Sequence, residues 1–171
     1  SLVKDCSGTV LGSGNNANPA FYDDAEWLWA VRLREDGRTV DGLIHNEYHG
    51  GAHPDSPFCP SRDYGRCWRN AVTLATSTDG GRTFNHSPAP SHVVAQVPYP
   101  FEEAASNQNP GGYFEPSNLV RNPQDGLLYG LVRVTQYREQ RDGGLCLIRT
   151  SNAGDPGAYR VWNGSNFDSN P

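Results

Sequence analysis

Apolar residues in this chain do not recur with a helical period of about 3.6 over any window of about eleven residues. They come in short runs at 27–33, 42–49, 68–76, 127–134 and 145–150, separated by polar stretches that hold Gly, Asp, Asn or Pro, with one shorter apolar piece at 92–97 inside such a stretch. Runs of that length between turn residues read as strands. Asp36-Gly37 between the first two runs is a hairpin turn, because Gly tolerates the backbone angles that such turns demand. The fold class expected is therefore all-β.

Composition agrees. The 171 residues include 19 Gly and 13 Pro, and 11% of them are aromatic, a turn-rich but not a disordered chain. The net charge is −5 with the acids scattered, so neither a nucleic-acid surface nor a membrane surface is expected. No apolar run approaches the roughly 18 residues of a membrane helix. There is no Met and no basic-then-apolar leader, so the chain is expected to be a mature or partial one.

Four cysteines, Cys6, Cys59, Cys67 and Cys146, show no C-x-x-C spacing, and no metal site or cofactor is expected from them. Cys59 and Cys67 bracket the polar loop PSRDYGR, which a disulfide would close; Cys6 and Cys146 would then pair over a long range. Two sequons begin at Asn85 and Asn163. Together they lean towards a secreted or extracellular glycoprotein.

The third run ends in Ser77-Thr78-Asp79-Gly80-Gly81-Arg82-Thr83-Phe84. Ser and Asp side chains bond backbone groups in a tight turn, Gly supplies an unusual backbone angle, and Phe fills space between sheets. Those roles are structural. After 145–150 a looser echo follows, with Ser151, Asp155, Gly157, Tyr159 and Trp162 in comparable places.

Ser77, Asp79, Gly81, Thr83 and Phe84 resemble the Asp-box (BNR repeat) of sialidase-like β-propellers. The phrases GLIHNEYHG, NAVTLATSTDGGRTF, FEPSNLV and CLIRTSNAGDPGAYRVW are similar to secreted glycoside-hydrolase-like propeller proteins. The resemblance spans about residues 20–165 and implies four-stranded antiparallel blades, with the Ser77–Phe84 turn at the rim, away from substrate. A propeller has about four to eight blades and this chain supplies about two to three. It is therefore expected to be a partial propeller completed by more of the same chain or by another chain; a β-sandwich is the alternative. Residues 1–171 read as one all-β region: a loop at 1–20, a first blade region at 21–90, a loop at 91–112 and a second blade region at 113–165.

Strand alternation puts His45, Glu47 and His49 on one face of 42–49, and Ile44, Asn46 and Tyr48 on the other. Three ionisable groups on one strand face suit a substrate pocket, a hydrogen-bonded structural face, or a divalent metal. Asp23 and Asp24 offer a general base or a strand-edge turn. Glu115, beside Tyr113 and Phe114, offers an acid of raised pKa or a solvated loop carboxylate. Arg133 would grip a sugar carboxylate or a local acid. Trp27, Trp29, Trp68 and Tyr113 are able to stack on sugar rings, though Trp27 and Trp29 are expected to fill the core.

Glycoside hydrolysis needs two carboxyls across the scissile bond. Glu47, Glu115 and Asp23 are the candidate catalytic set, and His45, His49, Tyr48, Asp24, Arg133 and Tyr113 the candidate substrate contacts. The function expected is a carbohydrate-active extracellular propeller, glycoside hydrolase-like, with an oligo- or polysaccharide as partner and no cofactor. The alternatives are a non-catalytic carbohydrate-binding or structural module, and a polysaccharide lyase that uses His45 or His49 with Tyr48.

Overall fold

The computed structural model describes residues 7–104, 111–135 and 143–171. Among the described residues nine strands follow one another: β1 (Ala25–Leu33), β2 (Val40–His49), β3 (Trp68–Ser77), β4 (Val93–Ala95), β5 (Gly111–Phe114), β6 (Val120–Arg121), β7 (Leu128–Thr135), β8 (Gly144–Thr150) and β9 (Arg160–Val161). The helical pieces among the described residues are single 3-10 turns at Pro19–Phe21, Gly50–Ala52 and Pro156–Ala158. The protein is all-β, as the punctuation of the sequence requires. No helix among the described residues is long and apolar enough to cross a membrane.

The strands form one open mixed sheet in the order β1-β2-β3-β5-β7-β8-β9, with β4 also on β3 and β6 also on β7. The two halves were expected as separate antiparallel sheets. Instead a short parallel ladder, Arg69↔Gly111 and Asn70↔Gly112, joins them. Glycine makes that junction possible: Gly112 has φ +124°, and a Cβ there would lie 2.1 Å from the Asn70 carbonyl oxygen. β4 occupies part of the segment 91–112 expected as loop.

The β1–β2 hairpin turns where Asp36-Gly37 predicts. The Asp36 carboxylate accepts from the backbone N–H groups of Arg38 and Thr39 at 2.9 and 2.8 Å, and Gly37 has φ +68°. Two apolar clusters flank the sheet. Leu43 packs with Leu74, Val132, Ile148 and Tyr159; its neighbour Ile44 packs on the opposite face with Ala75 and Phe84.

The Ser77–Phe84 turn holds the second cluster shut. Asp79 Oδ1 accepts from the N–H groups of Arg82 and Thr83 at 2.9 and 3.0 Å, and Oδ2 accepts from the Thr83 hydroxyl at 2.7 Å. The Ser77 hydroxyl donates to Asp79 at 2.7 Å and accepts from Gly81 N–H at 2.8 Å. These bonds hold the Asp79 carboxyl well below the usual carboxylate range. Gly80 and Gly81 take φ +81° and +89°, and Phe84 is delivered into the core. In the looser echo, Asp155 caps the turn through Gly157 N–H at 2.9 Å, and Tyr159 is the buried plug, its hydroxyl donating to the Ala153 carbonyl at 3.0 Å.

Cys59 and Cys67 form the expected disulfide, Cα–Cα 5.7 Å, which closes the polar loop. Cys146 is a free, half-buried thiol, and Cys6, its expected partner, lies outside the described residues. Asn85 and Asn163 are both exposed. The Asn163 side chain caps its own turn, accepting from the N–H groups of Ser165 and Asn166 at 2.9 Å each.

Candidate functional site

β2 carries the centre of the site. His45, Glu47 and His49 alternate onto one face, opposite Val72, Asn70 and Trp68 of β3. The structure brings the three together: Glu47 Oε1 lies 2.6 Å from His45 Nε2, and Oε2 lies 2.5 Å from His49 Nε2. The Glu47 side chain is only 13% exposed. Burial alone would raise its pKa, but the two imidazole hydrogen bonds outweigh burial and hold the carboxyl down at about 2. Glu47 is therefore a fixed carboxylate.

The tautomer of His45 follows from its other nitrogen. Glu115 N–H donates to His45 Nδ1 at 3.1 Å, so Nδ1 presents its lone pair and the ring proton sits on Nε2, facing Glu47. Glu115 presents that N–H from a left-handed conformation, φ +48°, which costs a non-glycine residue about 1 kcal/mol or more. Its own carboxylate is partly exposed, with Oε2 3.7 Å from Arg133 Nη1. The Arg133 guanidinium also lies over the Phe114 ring, 5.5 Å from its centroid. Glu47, His45, Glu115 and Arg133 thus form one connected polar string.

Aromatic rings surround it. The register of β1 slips between Leu28 and Ala30, leaving Trp29 as an extra residue opposite no partner. Trp27 and Trp29, two residues apart, share one side and lie 5.8 and 5.4 Å from the His45 ring. They are 45% and 50% exposed, so they do not fill the core as expected. Phe114 closes on His45 from β5 at 5.6 Å. Tyr64 and Trp68 flank His49 at 5.1 and 5.2 Å. Asn70, beside Glu47 in register, is wholly buried, and neither amide atom has a hydrogen-bond partner. A buried amide left unpaired is costly.

Four expected site residues lie elsewhere. Tyr48 is buried on the opposite face of β2, its hydroxyl donating to the Ala17 carbonyl at 3.0 Å, so it makes no pair with the histidines. Asp24 is buried and structural: it accepts from His49 N–H at 2.7 Å and meets His53 Nε2 at 2.9 Å, fixing the end of β2. Asp23 points to Glu26 and His86, across the sheet from Glu47. Tyr113 packs against the apolar cluster around Val132, and its neighbour Phe114 takes the site position. Sequence reasoning missed Tyr64, Phe114 and Asn70. Tyr64 had a signal, since it lies in the loop that the cysteine pair draws back to the start of β3.

A cleft of about 410 Å³ lies on the other face of the sheet, lined by Tyr22, Phe58, Arg69, Tyr99 and Phe101 among others. It contains none of the paired carboxylates and imidazoles. No family model matches the chain, and no curated protein or solved structure is significantly similar to it.

Proposed function

We propose that the chain is a carbohydrate-recognising protein and that the Glu47 face is where a sugar binds, with glycoside hydrolysis as its reaction. The observation that carries this reading is a carboxylate held ionised between two imidazoles beside two half-exposed tryptophans. Exposed indoles offer apolar faces to sugar C–H groups, and fixed carboxylates and imidazoles bond hydroxyls. In hydrolysis Glu47, ionised, is the base or nucleophile, and Glu115, whose backbone N–H bonds His45, supplies the partner carboxyl. Arg133 orients Glu115 or receives a sugar carboxylate.

A second reading, binding without turnover, has its own support. Both Glu47 oxygens are already engaged by imidazoles, and the Glu115 carboxylate faces the Arg133 guanidinium at 3.7 Å. The finer architecture we propose is a set of propeller blades in a larger ring. Its support is the hydrogen-bonded Ser77–Phe84 turn, its echo ending in Tyr159, and the apolar Val31 and Leu33 left exposed along β1. The disulfide and the two exposed sequons support an extracellular setting.

The test is one panel of oligosaccharides assayed for both binding and hydrolysis, with wild type and Glu47→Gln. Hydrolysis lost in Glu47→Gln with binding retained supports the enzyme. Binding without hydrolysis in wild type supports the module. No binding to any glycan, neutral or acidic, ends both readings.

A further inference from the structure

Across the sheet from Glu47, Asp23, Glu26 and His86 each bring one donor atom within 4.8 Å of the others. Glu26 pairs in register with Asn46, one residue off the Trp27↔His45 pair, so its side chain leaves β1 on the face away from the tryptophans. That side chain is fully buried, at 0% exposure, and neither carboxylate oxygen has a hydrogen-bond partner. A buried carboxylate without donors is costly and is relieved by a positive charge or by a proton of its own.

His86 is the neighbour, and its hydrogen bonds suit a metal ligand. Its Nδ1 lies 3.1 Å from the Ser87 carbonyl, which only accepts, so Nδ1 carries a proton. Metal-bound histidines characteristically donate their second N–H to a carbonyl or carboxylate in this way, which aims the other lone pair at the ion. Here that lone pair is on Nε2, 3.6 Å from Glu26 Oε2, beyond hydrogen-bond reach. Two ligands about 2.1 Å from one tetrahedral ion stand about 3.4 Å apart. The surrounding contacts brace the cluster. Gly14 N–H holds Asp23 Oδ1 at 2.5 Å, Ser13 Oγ accepts from Glu26 N–H at 2.9 Å, and His92 stacks on His86 at 4.5 Å.

We propose that Asp23, Glu26 and His86 bind a divalent transition-metal ion, with zinc the best match to two carboxylates and one imidazole. The ion would neutralise both carboxylates and tie the segment around Asp23 to β1 and to the residues after the Ser77–Phe84 turn. It sits on the opposite face from the proposed sugar site and stands or falls independently of it.

The test is calorimetric titration of the chelator-treated full chain with zinc chloride, with manganese and calcium arms, and melting curves with and without zinc. The proposal expects one zinc per chain, a raised melting temperature, and an affinity loss of about 100-fold or more in both His86→Ala and Asp23→Asn. Asp23 and His86 are only partly buried, so these variants keep the test open if Glu26→Gln fails to fold. Glu47→Gln should bind zinc as wild type does. No zinc binding, or zinc binding lost only in Glu47→Gln, overturns the proposal.

Discussion

The clasp of Glu47 by His45 and His49 makes a quantitative acid-stability prediction. In the unfolded chain Glu47 titrates near its ordinary value of 4.5, and in the folded protein at about 2. The folded value is the lower one, so the unfolded state takes up a proton first as pH falls. The stabilisation is therefore complete above about pH 5 and drains away between pH 4.5 and 2. At 1.36 kcal/mol per unit, the difference corresponds to roughly 3 kcal/mol. The side chain is 13% exposed, so solvent screening removes little of it. Asp36 and Asp79 also carry depressed values, so the wild-type curve alone mixes several groups. Glu47→Gln separates them. Urea unfolding of both proteins from pH 7 to pH 2 should show wild type ahead by about 3 kcal/mol at neutral pH, with the gap closing towards pH 2. A gap that stays constant across that range would refute an ionic clasp, and a more stable Glu47→Gln would refute the clasp altogether.

Phe84→Ala removes the aromatic plug from the cluster of Ile44 and Ala75. It should cost about 3–5 kcal/mol and lower the melting temperature by roughly 10 °C, read by calorimetry. Replacing Cys59 and Cys67 together by Ser frees a closed loop of nine residues' span, a sequence separation of 8, and should cost about 2.5 kcal/mol in chemical denaturation. Trp27→Ala and Trp29→Ala touch half-exposed rings. Each should lower affinity for a bound glycan at least about tenfold, some 1.4 kcal/mol, while unfolding free energy changes by less than about 2 kcal/mol.

Much of the fold was legible because strands and turns write themselves locally. Asp36-Gly37, the Ser77–Phe84 turn and the Cys59/Cys67 loop each depend on residues close in sequence, and each forms as read. The period of two along β2 was enough to put His45, Glu47 and His49 on one face. What stayed hidden depends on pairing between distant strands. β1 lies at the edge of the sheet, and two supposed core tryptophans stand half-exposed on it. The parallel contact of Arg69-Asn70 with Gly111-Gly112 brings Phe114 and Glu115 to His45, and no local pattern signals it. Asp23 lies next to Asp24, yet the two carboxylates serve different partners, His86 with Glu26 in one case and His53 in the other.

The central claim is that sugar binds over Trp27, Trp29 and the Glu47 clasp. Titrating isotope-labelled protein with the best glycan from the panel, and following the indole and imidazole resonances by NMR, tests it most directly. The account predicts saturable shifts at the Trp27 and Trp29 indoles and the His45 and His49 rings, with Tyr22, Arg69 and Tyr99 unmoved. Shifts confined to the cleft of Tyr22, Arg69 and Tyr99 would contradict it.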